Sequence, residues 1–146
     1  MVFRNKKAEK DYYIEKTYES GIVLTGNEVK SIREGRVNFT DSYARIINGE
    51  LWLDNLHISA YDKGFNYDYN PKRRRKLLMH SYEIKRLDNK VKERGYTLVP
   101  LKLYINENGL AKIELALAKG KRSYEKRDKI KARDAERDLH RSVYKK

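Results

Sequence analysis

The sequence contains no cysteine among its 146 residues. Disulfides, thiolate nucleophiles and cysteine-ligated zinc sites are therefore excluded, a pattern typical of a reducing compartment. The sequence also lacks a run of about 18 apolar residues, and its first residues lack the apolar stretch of a secretory signal. We expect a cytoplasmic protein with no membrane span.

Catalytic and cofactor-binding signatures are missing as well. No G-x-x-x-x-G-K, G-x-G-x-x-G or G-x-S-x-G motif is present, and the three histidines lack metal-ligand spacing. Asp54, Asp62 and Asp68 are the acids that could hold Mg²⁺ for RNA cleavage. We expect no enzyme activity, no cofactor and no metal, with a metal-dependent nuclease as the alternative.

Positive charge is what the sequence has in excess, since 34 Lys and Arg against 21 Asp and Glu give a net charge of +13. An excess of this size favours a polyanionic partner. Residues 119–146 carry 12 basic and 5 acidic side chains, so about half of the excess lies in the last fifth of the chain. That stretch has too few apolar groups to build a core. We predict a folded body, residues 1–120, and a basic tail, residues 121–146.

The body shows mainly the two-residue period of β-strands. Asn48-Gly49 lies between two apolar runs and predicts a type I′ hairpin turn, because both central residues need a positive φ. Asn108-Gly109 predicts a second hairpin between strands 97–105 and 111–118. Pro100 cannot donate to a ladder and predicts an edge or a bulge.

Alternation also predicts which side chains of these strands share a face. Val99, Leu101 and Leu103 are expected on one face, and so are the three alternate residues Ile113, Leu115 and Leu117. Earlier in the chain, Gly21 is predicted to end one strand and start its return.

Two segments have helical spacing. A Thr25 and Glu28 capping box predicts a helix over 25–34 that ends at Gly35. A second helix is predicted over 81–94, with Ser81 as its N-cap and Gly95 after its end. A short helical turn at 40–44 is more weakly indicated. Six or more strands with two or three helices predict a closed or nearly closed small barrel.

A basic segment with interleaved aromatic residues runs from Tyr61 to Lys76 and ends in five consecutive cations, 72–76. Exposed rings can stack on unpaired bases while cations neutralise phosphates. Alternatively, the rings pack on the body and the cations solubilise a loop. Leu77, Leu78 and Met79 follow and predict a buried strand.

The first predicted helix offers another basic surface. Lys30, Arg33 and Arg36 are spaced to lie within reach of one face, and residues Asn5, Lys6 and Lys7 could join them if the N-terminus folds back. A solvated helix face with no ligand is the alternative.

The tail combines an apolar stripe with a ladder of like charges. The stripe recurs at helical spacing at Ala132, Ala135, Leu139 and Val143. Arg133, Arg137 and Arg141 repel one another at i, i+4 spacing, which opposes a helix in isolation. We predict a tail that is disordered alone and helical when an anion neutralises the arginines.

Several ordered segments also carry a family resemblance: Asn5-Lys6-Lys7-Ala8, Tyr18-Glu19-Ser20-Gly21-Ile22-Val23-Leu24-Thr25-Gly26, Glu28-Val29-Lys30-Ser31-Ile32-Arg33, Asp41-Ser42-Tyr43, Arg75-Lys76-Leu77-Leu78, Thr97-Leu98-Val99-Pro100-Leu101 and Ala118-Lys119-Gly120-Lys121. They closely resemble the bacterial SsrA-binding protein family, also called small protein B, from residue 5 to about residue 134. The resemblance implies a mainly β fold, an OB-fold-like antiparallel β-barrel with about three short helices and a basic C-terminal tail.

The resemblance also implies a function. Proteins of this family bind the tRNA-like domain of transfer-messenger RNA and deliver that RNA to stalled ribosomes for trans-translation. The tail would enter the decoding centre and the empty mRNA channel of the ribosome. Elongation factor Tu with aminoacylated transfer-messenger RNA is a further candidate partner. The alternative is a general OB-fold RNA-binding or ribosomal protein without preference for transfer-messenger RNA.

The resemblance adds Asn5, Glu19, Leu78 and Lys112 as RNA-binding residues, although Glu19 and Leu78 could instead be a buried pair and a core residue. With the cations above, the candidate RNA-binding set is Asn5, Lys6, Lys7, Glu19, Lys30, Arg33, Arg36, Arg75, Lys76, Leu78 and Lys112. The candidate ribosome-binding residues of the tail are Lys119, Gly120, Lys121, Arg122, Tyr124, Glu125, Lys126, Arg127, Lys131, Arg133, Arg137 and Arg141.

Overall fold

The computed structural model describes residues 1–62, 68–93 and 95–121. Over these residues the chain forms nine strands: β1 (Val2–Arg4), β2 (Tyr12–Ile22), β3 (Val37–Asn38), β4 (Tyr43–Ile47), β5 (Glu50–Asp54), β6 (His57–Ile58), β7 (Arg75–Leu78), β8 (Tyr96–Ile105) and β9 (Ala111–Gly120). Its helices are α1 (Lys6–Asp11), α2 (Gly26–Arg33) and α3 (Ser81–Val91). The predicted mainly β class with about three helices is confirmed.

Seven strands form one antiparallel sheet in the order β1-β8-β4-β5-β7-β2-β9, and β8 also pairs with β9. The pairings from β8 through β4, β5, β7, β2 and β9 therefore return to β8. Strands β3 and β6 form a separate two-stranded sheet. The large sheet thus has an inner face toward the core and an outer face.

The core consists of two clusters, and a β-bulge in β8 changes which of them its side chains join. Ile113, Leu115 and Leu117 lie together in the larger cluster, as predicted. The register of β8 against β9 shifts between Pro100 and Lys102, which confirms the predicted bulge. Because the bulge reverses the alternation, Leu103 joins the larger cluster, whereas Val99 and Leu101 pack in a smaller one with Ala8 of α1. The prediction that Val99, Leu101 and Leu103 share a face is therefore wrong.

The turns and the first predicted helix follow their local sequence signals. Asn48 and Gly49 have φ values of 52° and 76°, as a type I′ turn between β4 and β5 requires. At α2, the Thr25 hydroxyl accepts from the Glu28 amide at 3.2 Å, and the Glu28 carboxylate accepts from the Thr25 amide at 2.9 Å. Gly35 follows this helix with a φ of 77°. Hairpin and capping box are both confirmed.

Three local predictions are wrong. Gly21 is not a turn, because it lies within continuous β2 and is paired with Leu78 on one side and Lys112 on the other. Residue His80, not Ser81, is the N-cap of α3, and its side chain makes no capping bond. The segment 40–44 is a turn leading directly into β4, whereas the third helix is α1, whose N-cap is Asn5.

Candidate nucleic-acid interface

The outer face of the sheet brings together three sequence-predicted residues from three neighbouring strands. Gly21 of β2 is opposite Leu78 of β7 and opposite Lys112 of β9, and Glu19 lies two residues before Gly21. Cross-strand partners project to the same side of a sheet. Leu78, Glu19 and Lys112 therefore form one surface, extended by Lys76 and by Tyr104 opposite Lys112. We call Glu19, Lys76, Leu78, Tyr104 and Lys112 the outer strip.

Gly21 allows Leu78 to lie across the strip. A Cβ at position 21 would be 3.3 Å from the Cβ of Leu78, which is closer than ordinary van der Waals contact. The Leu78 side chain is 53% exposed, so it is neither a core residue nor part of the buried strand predicted for 77–79. Leu77, its neighbour, is the buried residue. Leu78 is thus an apolar contact surface between charged neighbours.

Charge on the outer strip is loosely paired. The Lys112 ammonium is 3.9 Å from a Glu19 carboxylate oxygen, and the Glu19 side chain is 61% exposed. Burial, the hydrogen bond to Glu19 and the nearby carboxylate charges raise the pKa of Tyr104 to about 12. Its phenol therefore stays protonated near neutral pH. Lys112 can donate to a phosphate, while Glu19 can accept from a base edge or keep Lys112 in place.

Lys76 lies on the same outer face, one strand further along the sheet. Its ammonium is 3.6 Å from a Glu50 carboxylate oxygen, and both side chains are about half exposed. An ion pair this long and this exposed is weak, so the ammonium can exchange its partner for a phosphate.

Arg75 points the opposite way and corrects its assignment as an RNA contact. Its side chain is fully buried and donates to the Glu28 carboxylate at 2.7 Å and to the Leu56 carbonyl at 2.5 Å. The guanidinium also donates to the Pro71 carbonyl at 3.0 Å. Arg75 holds α2 and the segment before β7 together, and a ligand on the surface cannot reach it in this fold.

Glu28 is the centre of this buried cluster, which we define as Glu28, Tyr69, Arg73 and Arg75. Arg73 also binds the Glu28 carboxylate, and the Tyr69 hydroxyl lies 3.2 Å from it. Burial by itself raises the pKa of Glu28. The hydrogen bonds from Arg73 and from the Thr25 amide, with the charge of Arg75, outweigh burial and hold that pKa below its usual value.

The basic segment is therefore divided between structure and surface. Arg73 and Arg75 turn to Glu28, Arg74 lies 3.2 Å from Asp54, and Lys72 is exposed. Among its rings, Tyr69 belongs to the buried cluster, where its hydroxyl donates to the Ile58 carbonyl at 2.7 Å. The expectations for Phe65 and Tyr67 lie outside the described residues.

The cations predicted on and just after the first long helix, α2, do not form one patch. The Lys30 ammonium lies 5.4 Å from the centre of the Tyr61 ring. Arg36 donates to the Ala60 carbonyl at 3.1 Å and to Asp62 at 2.8 Å, also in the segment before residue 63. Arg33 is exposed and points instead toward the turn between β8 and β9, with its guanidinium 3.9 Å from the Cβ position of Gly109. Lys30 and Arg36 therefore share a surface from which Arg33 diverges.

The N-terminal candidates Asn5, Lys6 and Lys7 also differ in whether they are buried or exposed. Asn5 is 8% exposed, accepts from the Ala8 amide at 3.2 Å and donates to the Pro100 carbonyl at 2.8 Å, so it anchors α1 to β8 rather than presenting its amide to a ligand. Lys6 and Lys7 are exposed at the edge of a cleft of about 840 Å³. The cationic residues that line this cleft are Arg4, Lys6, Lys7, Lys10 and Lys121.

The tail is described only at its start. Gly120 ends β9, the Lys119 ammonium lies 4.5 Å from the centre of the Tyr96 ring, and that of Lys121 lies 5.3 Å from the centre of the Tyr13 ring. The other candidate tail residues lie outside the described residues: Arg122, Tyr124, Glu125, Lys126, Arg127, Lys131, Arg133, Arg137 and Arg141.

Asp54 and Asp62, two of the three aspartates considered as metal ligands, form ion pairs with arginines. Asp54 lies 2.6 Å from Arg45, and Asp62 lies 2.8 Å from Arg36. Within residues 1–62, 68–93 and 95–121, no group of three or more His, Asp or Glu could hold a metal ion. In the same ranges, no helix is long and apolar enough to cross a bilayer.

Glu28 of the buried cluster and Tyr104 of the outer strip are two residues that the sequence does not single out for these roles. Glu28 carries a signal, the capping box, but that signal explains only its bond to Thr25 and not its arginine partners. Tyr104 carries none, because its position beside Lys112 depends on the register of β8 against β9.

Comparisons with known proteins show which proteins this chain resembles. Residues 2–145 match the model of the family described as SmpB protein. The SsrA-binding protein of Moorella thermoacetica is 59% identical over 143 residues, which cover 98% of this chain and 92% of that protein. The SsrA-binding protein of Bacillus subtilis is 55% identical over 142 residues, 97% of this chain and 90% of that protein. A solved structure described as "tmRNA-SmpB: a journey to the center of the bacterial ribosome" is 54% identical, with a TM-score of 0.71, over 82% of this chain and 84% of that chain.

Proposed function

The chain belongs to the SmpB protein family, and on this premise we propose that it binds the tRNA-like domain of transfer-messenger RNA and delivers this RNA to stalled ribosomes for trans-translation. The observation that carries the proposal is the outer strip. Glu19, Leu78 and Lys112 are distant in the sequence, and the register of β2, β7 and β9 places them side by side. They offer an acceptor, an apolar contact and a cation on one solvent-facing surface.

The proposed body is an OB-fold-like barrel without enzyme activity that acts in the cytoplasm. The ring of pairings from β8 through β4, β5, β7, β2 and β9 supports a closed barrel. Such a barrel holds the outer strip on hydrogen-bonded strands, so the strip loses little conformational entropy when RNA binds.

Recognition on the strip combines charge with shape. Lys112 and Lys76 neutralise phosphates, and each phosphate contact releases counterions and makes affinity depend on salt. Glu19 and Leu78 add contacts that depend on which base edge or ribose lies beside them, since phosphates carry no sequence information. The preference for one folded RNA comes from this second group.

The tail is proposed to make a separate contact, in the decoding centre and the empty mRNA channel of the ribosome. Its support is the charge distribution, because residues 119–146 carry 12 of the 34 basic side chains in a stretch with few apolar groups. Lys119 in β9 and Lys121 directly after it are the described start of this segment.

Filter binding at two salt concentrations tests the RNA preference. Full-length protein is titrated with the tRNA-like domain, with a tRNA and with an unrelated structured RNA of equal length. We expect a steep salt slope for all three, because phosphate contacts are common to them, and tighter binding of the tRNA-like domain at both salt concentrations. Equal affinities at each salt would contradict the proposal and favour a general RNA-binding protein.

Truncation after Gly120 tests the division between body and tail. We expect the truncated protein to keep its affinity for the tRNA-like domain and to lose tagging of peptides on stalled ribosomes in a reconstituted assay. Loss of RNA affinity would instead identify the tail as the main RNA-binding surface.

A further inference from the structure

Trp52, the single tryptophan of the chain, lies on the outer face of β5. It is opposite Arg45 of β4 and opposite Lys76 of β7, so the three side chains form a row across three strands. Its neighbours in β5, Leu51 and Leu53, are fully buried on the inner face. The largest apolar side chain of the protein therefore points away from the core.

The position of Trp52 is not explained by packing. Trp52 is half-buried. Among the described residues, it is not one of the partly buried hydrophobic residues that pack against either core cluster. By contrast, Ile46, which is also partly buried, packs against the larger cluster. A partly exposed indole outside the core combines an apolar ring with a polar N–H and can serve as a contact surface for a ligand.

Cations flank the indole on both neighbouring strands. A nitrogen of the Arg45 guanidinium lies 2.6 Å from an Asp54 carboxylate oxygen, and the Lys76 ammonium is 3.6 Å from Glu50. Both carboxylates are two residues from Trp52 on β5 itself and so project from the same face. They hold the two cations beside the ring, and each cation is more than 40% exposed.

The row is continuous with the outer strip. Lys76 belongs to both, and Leu78 lies two residues further along β7, or about 7 Å at the usual rise of a strand. A strand of RNA that contacts Leu78 can therefore place its next unpaired base over β5.

We propose that Trp52, between Arg45 and Lys76, is a stacking subsite for one unpaired base of the bound RNA. The indole provides an aromatic face and the flanking cations bind the adjoining phosphates, the combination by which proteins hold single-stranded nucleotides. This subsite deepens the function proposed above and rests on it.

Because Trp52 is the only tryptophan, its fluorescence reports directly on the subsite. We expect the tRNA-like domain to change the emission of the wild-type protein, with a midpoint equal to the dissociation constant from filter binding. Emission that stays constant while the RNA binds would overturn the subsite and leave the proposed function intact. If the wild-type protein shows no preference for the tRNA-like domain, the proposed function itself fails.

Paired substitutions separate stacking from bulk. Trp52→Phe keeps an aromatic face and should bind the RNA within about threefold of wild type, whereas Trp52→Leu should weaken binding by about 5- to 150-fold, the range of one base–aromatic stack. The urea midpoint of Trp52→Leu shows whether the variant folds. Should it unfold, Arg45→Gln serves in its place, with weaker binding and a shallower salt slope expected. Wild-type RNA affinity in a folded Trp52→Leu variant would overturn the proposal. If Trp52→Leu does not fold, wild-type RNA affinity in Arg45→Gln would overturn it.

Discussion

Arg75 and Lys76 are neighbours in β7, yet one is fully buried against Glu28 and the other is about two-fifths exposed beside Glu50. Strand alternation sends them to opposite faces of the same sheet. The Arg75–Glu28 pair in the buried cluster encloses both of its charges, whereas the ion pairs of the outer strip reach solvent. Two cations of one basic run therefore have different surroundings: Arg75 is part of the buried structure, and Lys76 is accessible from solvent.

The two regions also differ in how their ion pairs respond to the surroundings. In the buried cluster, Arg75 reaches Glu28 at 2.6 Å with both side chains at 1% exposure or less. On the outer strip, Lys112 and Glu19 are 3.9 Å apart and reach solvent. Removing one partner of a buried pair leaves an uncompensated charge, while exposed pairs are screened and contribute little.

The largest expected effect is on stability, from Arg75→Met. This change leaves the Glu28 carboxylate buried with only Arg73 as its charged partner and should lower the free energy of unfolding by about 3–5 kcal/mol. Urea denaturation measures it. Lys76→Met is the matched control in the same strand and should change stability by less than about 0.5 kcal/mol. Equal losses in the two variants would remove the distinction between the two faces of β7.

How much of this arrangement the sequence predicts depends on the range of each signal. The Asn48-Gly49 turn and the capping box of α2 are local, and both were predicted correctly. The inward direction of Arg75 is not predicted. In a run of five cations, strand alternation does not tell which residues face the core until the pairing of β7 with β5 is known.

The same limit applies to the rest of the candidate site. The family resemblance supplied Leu78 and Lys112, which the structure brings together, and also Asn5, which it buries. The bulge after Pro100 was predicted, but its effect on Leu103 was not, because a one-residue shift reverses every later side chain. Trp52 lies in the apolar run that follows Asn48-Gly49, and only the register of β5 against β4 and β7 shows which face it occupies.

A smaller effect is expected from acid. The pKa of Glu28 is lowered in the folded protein, so its interactions stabilise the fold above the unfolded-state pKa and are lost as pH falls through the folded one. Glu28→Gln can keep the capping hydrogen bond but removes the titration. We expect the stability of this variant to fall less steeply from neutral pH to about pH 3 than that of wild type, measured by urea unfolding.

Glu50→Gln is the control for that measurement. Glu50 pairs with Lys76 on the surface at 3.6 Å, so its replacement should leave the acid dependence almost unchanged. A flattened acid limb in Glu50→Gln, or an unaltered one in Glu28→Gln, would show that the buried cluster is not the acid-sensitive region.

The outer strip should respond in RNA affinity rather than in stability. Lys112→Ala removes a cation whose side chain is 26% exposed, and we expect it to weaken binding of the tRNA-like domain by about 1 kcal/mol, or roughly fivefold. The salt slope should become shallower by just under one. Lys92→Ala, a change of equal charge at the end of α3, should leave affinity and slope as they are. A similar loss in both variants would indicate long-range electrostatics instead of a contact.

The smallest expected effect concerns Lys102 and Glu114, a pair on the outer face of β8 and β9 at 3.5 Å, with both side chains about 30% exposed. A double-mutant cycle with Lys102→Met and Glu114→Gln should give a coupling energy of about 0.2–1 kcal/mol that shrinks in 0.5 M salt, because exposed pairs are screened. The corresponding cycle for Arg75 and Glu28 should keep its coupling in the same salt, since ions cannot enter a site with 1% exposure or less. If the two coupling energies declined together with salt, the buried cluster would be open to solvent. The contrast between an enclosed and an accessible face of one sheet would then fail.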